Sequence, residues 1–150
     1  MSILLERFDV RRLAEELSKL GLGEILYSII QRKYDIKDSV WELSLEVPPN
    51  QTVYAKVEVP KEIVYFERGY EFDVDKLGVL TFTHYHDGRL IMKDITIDDT
   101  MLSFRYSTPE ICARYFEVYI SNSDSVAHTV SVKGLYKSVP REIYDKVRIV

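Results

Sequence analysis

The sequence predicts a mainly β protein: an antiparallel two-sheet sandwich or jelly roll of about eight strands with an N-terminal helical segment. Three observations predict it. From Val40 onward, apolar residues recur at every second position, the spacing of strands with one buried face. Turn-forming clusters interrupt that alternation, among them Pro48-Pro49-Asn50, Asp87-Gly88 and Ser121-Asn122-Ser123-Asp124-Ser125. Ahead of Val40 the apolar period is instead three to four residues. The boundaries that follow are residues 1–36 for the helical segment and 37–150 for the β-sandwich domain.

In the first segment Asp9 is a helix cap, and Val10, Leu13, Ala14, Leu17 and Leu20 form one stripe. Glu15 and Lys19 are an i,i+4 pair in the favourable order, and Gly21 is the stop signal. Leu22, Ile25, Leu26, Ile29 and Ile30 form a second stripe through Lys33, although Ile25–Ile30 is also compatible with a strand. These stripes must bury against the sandwich, a neighbouring subunit or another protein. The strands then follow in order. Trp41, Leu43 and Leu45 alternate with Glu42, Ser44 and Glu46, and after the Pro48-Pro49-Asn50 turn Val53, Ala55, Val57 and Val59 alternate with polar neighbours. Ile63–Phe66 and Tyr70–Val74 are two strands, or one strand bent at Gly69. Val79–His86 and Arg89–Lys93 flank Asp87-Gly88, a tight-hairpin signal. Ile95–Ile97 is a short strand, and Met101–Ser107 ends before a break at Pro109. Ala113–Ile120 and Val126–Lys133 read as a closing hairpin, with Gly134–Pro140 ending the sheet region and a helical turn at Arg141–Lys146.

A chain of 150 residues with 46% hydrophobic content is one ordinary domain able to bury a core. Its net charge of −4, with no basic stripe, argues against nucleic acid as a partner. The single Cys112 excludes an intrachain disulfide and reads as a small buried hydrophobe. Ile3-Leu4-Leu5 is broken at once by Glu6 and Arg7, so no signal peptide is expected, and no apolar run approaches the roughly 18 residues of a membrane span. Asn and Gln occur only at Asn50, Asn122, Gln31 and Gln51, a scarcity of thermolabile amides that points to a heat-adapted source.

No Gly-x-Ser-x-Gly, phosphate-cradling loop or dinucleotide fingerprint occurs, and with 6 Gly the chain is poorly equipped to approach phosphates. His84 and His86, two apart on a strand, project from the same face and supply half of a zinc site, with a third ligand from His128 or a carboxylate. The ordinary reading of Thr83-His84-Tyr85-His86-Asp87 is a hairpin tip with two exposed histidines, so no metal and no cofactor is expected. Asp73-Val74-Asp75-Lys76-Leu77-Gly78 imitates the start of a calcium loop, but it lies between strands and has His84 where the closing Glu belongs. Asp94, Asp98 and Asp99 read as a solvated turn. The strand Ala113–Ile120 divides into a core face of Phe116, Val118 and Ile120 and an opposite face of Tyr115, Glu117 and Tyr119. With Tyr54 on the polar side of its own strand, these residues form an expected contact surface, since tyrosine offers apolar area and a hydroxyl at low entropic cost. His128, in phase with Val126 and Val130, reads as a packed, hydrogen-bonded histidine.

Several stretches carry a resemblance: Val47-Pro48-Pro49-Asn50, Val64-Tyr65-Phe66-Glu67, Tyr85-His86-Asp87-Gly88-Arg89-Leu90, Ile120-Ser121-Asn122-Ser123, Val130-Ser131-Val132-Lys133-Gly134 and Val139-Pro140-Arg141-Glu142. The region from Val40 to Lys146 resembles the small jelly-roll and β-sandwich accessory structural proteins of tailed phages and archaeal viruses: head-decoration, minor capsid and fibre-like modules. The resemblance implies symmetric assembly on a particle and no active site. The expected function is therefore a non-enzymatic structural or interaction module, located in the virion or cytoplasm. Its expected partner is protein, in a homo-oligomer or larger particle, with no nucleic acid or membrane. Two alternatives remain: a carbohydrate-binding module with Tyr54, Tyr115 and Tyr119 as its platform, and a metal-dependent enzyme of cupin type using His84 and His86. The second lacks an obvious acidic ligand, since Glu is absent between Glu71 and Glu110.

Overall fold

Most strands alternate a core-facing row with an outer row, and that alternation sets the architecture. The computed structural model describes residues 38–147. The helical segment expected within residues 1–36 lies outside the described residues. The strands are β1 (Asp38–Val47), β2 (Thr52–Glu58), β3 (Ile63–Val74), β4 (Leu80–His86), β5 (Arg89–Thr96), β6 (Ser103–Cys112), β7 (Tyr115–Asn122) and β8 (His128–Pro140), followed by helix α1 (Arg141–Val147). One four-stranded sheet has the order β1-β8-β3-β6 and the other β2-β7-β4-β5, with every pair antiparallel. First strand pairs with last, second with seventh, third with sixth and fourth with fifth. The chain is one long antiparallel ribbon rolled into two facing sheets, the topology of a jelly roll.

Three expectations change. The closing hairpin is not a hairpin: β7 and β8 lie in different sheets, and their apolar rows face each other across the core. A period of two gives the buried face of each strand but does not distinguish neighbours in one sheet from partners across the gap. Val126, expected in that core, sits in the crossing and is 54% exposed. Within one sheet, consecutive strands join only at β4–β5, where Asp87 (φ 53°) and Gly88 (φ 80°) make the expected tight turn. Finally, Pro109 does not end a strand. It lies within β6, an edge strand, at the irregular register between Glu110 and Arg105, where no ladder N–H is required of it.

β3 is a single strand with a bulge between Glu67 and Gly69. The extra residue, Arg68, resets the phase, so Tyr65 and Glu67 before the bulge and Tyr70 and Phe72 after it are all buried. Gly69 is required there, because a Cβ would run into the Phe104 carbonyl. In the core, Trp41 from β1 stacks on Phe116 from β7 with ring centroids 4.4 Å apart. Tyr70, Phe72 and Phe82 pack edge to face around them. Helix α1 covers the outer side of β3 and β8, where Phe66 meets Tyr144 edge-on.

Gly134 of β8 lies directly opposite Trp41 in the ladder, and a side chain there would overlap the indole. Gly134→Ala is expected to destabilise the domain by about 1–3 kcal/mol through overpacking. The check is the urea midpoint, read by Trp41 fluorescence, which also reports displacement of the ring.

Candidate functional site

The core holds a polar centre that the sequence only half announces. On β4 the inward row is Leu80, Phe82, His84 and His86, all buried, so the expectation of two exposed histidines at a hairpin tip is overturned. Their phase follows Leu80 and Phe82, which fixes the whole row toward the core. From the facing sheet, Glu67 of β3 enters between them and is 1% exposed. His84 Nε2 lies 2.8 Å from His86 Nε2 and 3.4 Å from Glu67 Oε1, and His86 Nε2 lies 3.2 Å from Glu67 Oε2. Among the described residues this is the one place where three potential metal ligands converge. Asp94 instead bonds Thr83, Asp98 caps Thr100 and Asp75 pairs with His128.

Surrounding groups orient the cluster. The Trp41 indole Nε1–H donates to Glu67 Oε2 at 3.3 Å, and the Tyr106 hydroxyl donates to Oε1 at 3.2 Å. His84 Nδ1 donates to the Glu117 carbonyl at 3.0 Å, so in the neutral ring Nε2 presents a lone pair to the centre. Two buried polar atoms have no partner among the described residues, Tyr70 Oη and His86 Nδ1, and both belong to this cluster. Burial raises the Glu67 carboxyl, but attraction to His84 and hydrogen bonds from His84 and His86 outweigh it and hold it at about 2. Burial dominates at His84 and lowers it, against the pull of Glu67. These tendencies compete: a neutral His84 does not supply the charge that holds Glu67 ionised.

Glu67 was not selected from the sequence, although a signal existed. Within Val64-Tyr65-Phe66-Glu67 it shares the phase of Tyr65, and a charge in an apolar row is informative. The histidine strand itself carries no Glu, and the acidic partner comes from the facing sheet.

The tyrosine face lies on the opposite side of the β2-β7-β4 sheet. Tyr54 of β2 is 49% exposed, and Tyr115, Glu117 and Tyr119 of β7 point the same way at intermediate burial. The ladder sets Tyr54 opposite Tyr119 and Lys56 opposite Glu117. The Tyr54 and Tyr119 rings are 4.8 Å apart with planes 44° from parallel, and Tyr85 of β4 extends the row 5.9 Å beyond Tyr119. The Tyr54 hydroxyl donates to Glu117 Oε2 at 2.8 Å, which raises the phenol to about 12. Lys56 Nζ sits 4.4 Å above the Tyr115 ring. The structure thus brings the four expected contact residues onto one surface, with a tilt that leaves no single flat platform.

Cys112 is buried, its thiol donates to the Tyr115 carbonyl, and burial pushes it up, so it is no nucleophile. His128, at the start of β8, is clamped between two carboxylates: Nδ1 lies 3.0 Å from Asp75 Oδ1 and Nε2 lies 2.8 Å from Asp124 Oδ2. Lys76 Nζ also reaches Asp124 Oδ2 at 2.9 Å.

No family model matches the chain, and no curated protein matches it. Among solved structures, the mitogen of Yersinia pseudotuberculosis aligns at 12% identity with a TM-score of 0.40, over 65% of this chain and 86% of that one. A structure of infectious bursal disease virus (Gx strain) aligns at 14% identity and TM-score 0.40, over 74% of this chain and 34% of that one. The nucleoplasmin-like domain of Drosophila FKBP39 aligns at 10% identity and TM-score 0.36, over 67% and 91%. These are loose overlaps of β-sandwich layers, viral and non-viral alike. Among the described residues no helix is long and apolar enough to cross a membrane.

The His128 clamp makes stability depend on pH. Hydrogen bonds donated to Asp124 and Asp75 raise His128 above its ordinary 6.5, so its contribution is full below 6.5 and is lost as pH rises through the raised value. Asp124 is held below its ordinary 3.8 by hydrogen bonds from His128 and Lys76, so its contribution is present above 3.8 and is lost as pH falls through the lowered value. His84, lowered by burial, acts in the opposite sense to His128, so the clamp is isolated by difference. His128→Gln is expected to destabilise the chain more at pH 5.5 than at pH 9, as measured by the gap between wild-type and variant urea midpoints.

Proposed function

We propose that this jelly roll is a non-enzymatic structural module that works by surface contact and self-assembly. In this reading it is an accessory component of a viral particle, of decoration, minor capsid or fibre-like type, in the virion or cytoplasm. The observation that carries the reading is the tyrosine row on the outer sheet face, Tyr54, Tyr119 and Tyr85, running across three neighbouring strands. Aromatic area on an outer sheet face favours a protein partner, because little side-chain freedom is lost on contact. Lys56 lies beside Glu58 and Glu117, so the face carries both signs of charge. Such a face can meet its own copy about a two-fold axis without stacking like charges, which makes a second copy the favoured partner.

Sedimentation velocity across a concentration series tests this. The full chain is expected to associate, and a Tyr54→Ser/Tyr119→Ser variant to weaken association by about tenfold or more with an unchanged far-UV spectrum. A chain that stays monomeric at the highest concentration, and that captures no protein from its source, overturns the reading.

A further inference from the structure

We propose that Glu67, His84 and His86 bind one divalent transition-metal ion, for which zinc is the reference, as a structural cross-link buried between the two sheets. Ligand atoms about 2.0–2.2 Å from one ion stand roughly 2.8–3.6 Å from each other at cis-octahedral to tetrahedral angles. The two Nε2 atoms are 2.8 Å apart, His86 Nε2 is 3.2 Å from Glu67 Oε2 and His84 Nε2 is 3.4 Å from the other oxygen, Oε1. Each imidazole nitrogen thus stands within that range of its neighbour and of one carboxylate oxygen, and one ligand atom from each residue lies within 4.8 Å of the other two. Imidazole nitrogen with one carboxylate oxygen suits zinc and its first-row neighbours.

The surroundings point the same way. The described partners of Glu67 are Trp41, Tyr106 and the two histidines, with no Lys or Arg among them. A carboxyl this deep is stable as an ion only beside a compensating cation. The Nδ1–H of His84 is taken up by the Glu117 carbonyl, the outer hydrogen bond by which a protein orients an imidazole toward a metal. Trp41 and Tyr106 hold the carboxylate in the same manner, one to each oxygen. A proton shared between the two Nε2 atoms would satisfy them alone. It would make His86 Nε2 the donor and leave His86 Nδ1 as a bare buried acceptor, which is one of the two orphaned atoms. With an ion at the centre, His86 would carry its proton on Nδ1, an atom without a partner in either arrangement, so the convergence of the three ligand groups and the outer hydrogen bonds to His84 and Glu67 carry the inference.

Glu67 comes from one sheet and both histidines from the other, so the ion would tie together layers otherwise joined by packing and crossing loops. All three side chains are at most 1% exposed, so loading accompanies folding or a wide opening of the sandwich, and exchange in the native state is slow. The inference is independent of the tyrosine face.

The test unfolds the full chain with chelator, refolds it with and without zinc chloride, desalts it, and measures bound metal by mass spectrometry. One zinc per chain is expected, with the thermal midpoint raised by about 5–10 °C over metal-free protein. His86→Gln and Glu67→Gln should lose the zinc, whereas His128→Gln, which removes the third of the chain's 3 histidines, should keep it. Should the core variants not fold, nitrogen-15 histidine spectra of the zinc-loaded wild type decide, since Nε2 of His84 and His86 must shift while His128 does not. Wild type that refolds to a native near-UV spectrum with less than about a tenth of an ion per chain and an unmoved midpoint overturns the proposal. Zinc kept by His86→Gln but lost from His128→Gln also overturns it, by placing the ion at the Asp75–Asp124 clamp.

Discussion

The interior is organised around one carboxylate. Glu67 is buried between two sheets of otherwise apolar rows, and a charge in that position must be met by donors from every side. The bulge at Arg68 allows Glu67 and Tyr70 to point inward together. Trp41 reaches Glu67 with its indole N–H, and Gly134 leaves room for that ring on the neighbouring strand. His84 and His86 face it from the opposite sheet, and Tyr106 closes it from the edge strand β6. Four of the eight strands, β1, β3, β4 and β6, thus contribute side chains to a single buried anion. This degree of convergence is more than packing alone requires.

The same economy governs the ends of the sandwich. A jelly roll crosses between sheets repeatedly, and each crossing leaves backbone groups without ladder partners. At one end the Asn122 amide bonds the carbonyls of Val47, Pro48 and Val126, and His128 joins the loops holding Asp75 and Asp124. At the other end the Asp87 carboxylate accepts from the N–H groups of Ala113, Arg114 and Tyr115. There Arg141 donates to the carbonyls of Lys61, Ile63 and Ala113. Each end is held by a few polar side chains that serve several loops at once. The sheet faces are left free to differ: one carries helix α1, the other the tyrosine row.

The fold was largely legible in the sequence because a period of two is a local property. It gave the location of the strands, although it separates Ile95–Ile97 from β5, ends β6 at Ser107 instead of Cys112 and ends β8 at Lys133 instead of Pro140. It gave the Asp87-Gly88 turn and the inward and outward rows of β7, with Phe116, Val118 and Ile120 buried and Tyr115, Glu117 and Tyr119 outward. It also placed His84 and His86 on one face. It did not give the pairing, because β7 and β8 have the same alternation whether they lie side by side or face to face. The polar centre was half visible for the same reason. Two of its members are adjacent on one strand and share a local pattern, whereas Glu67 lies 17 positions before His84 (84 − 67) and reaches it only through the register of β3 across the core.

Alternation, turn chemistry and composition, each a matter of a few neighbouring residues, were thus enough to determine a β-sandwich and the facing of its side chains. Which strands meet, that the two histidines are buried rather than exposed at a tip, and that a carboxylate stands between them were decided by tertiary structure alone. The reason is that burial of a polar side chain depends on what lies across the core. In this molecule that partner comes from the other sheet, at a distance no local pattern records.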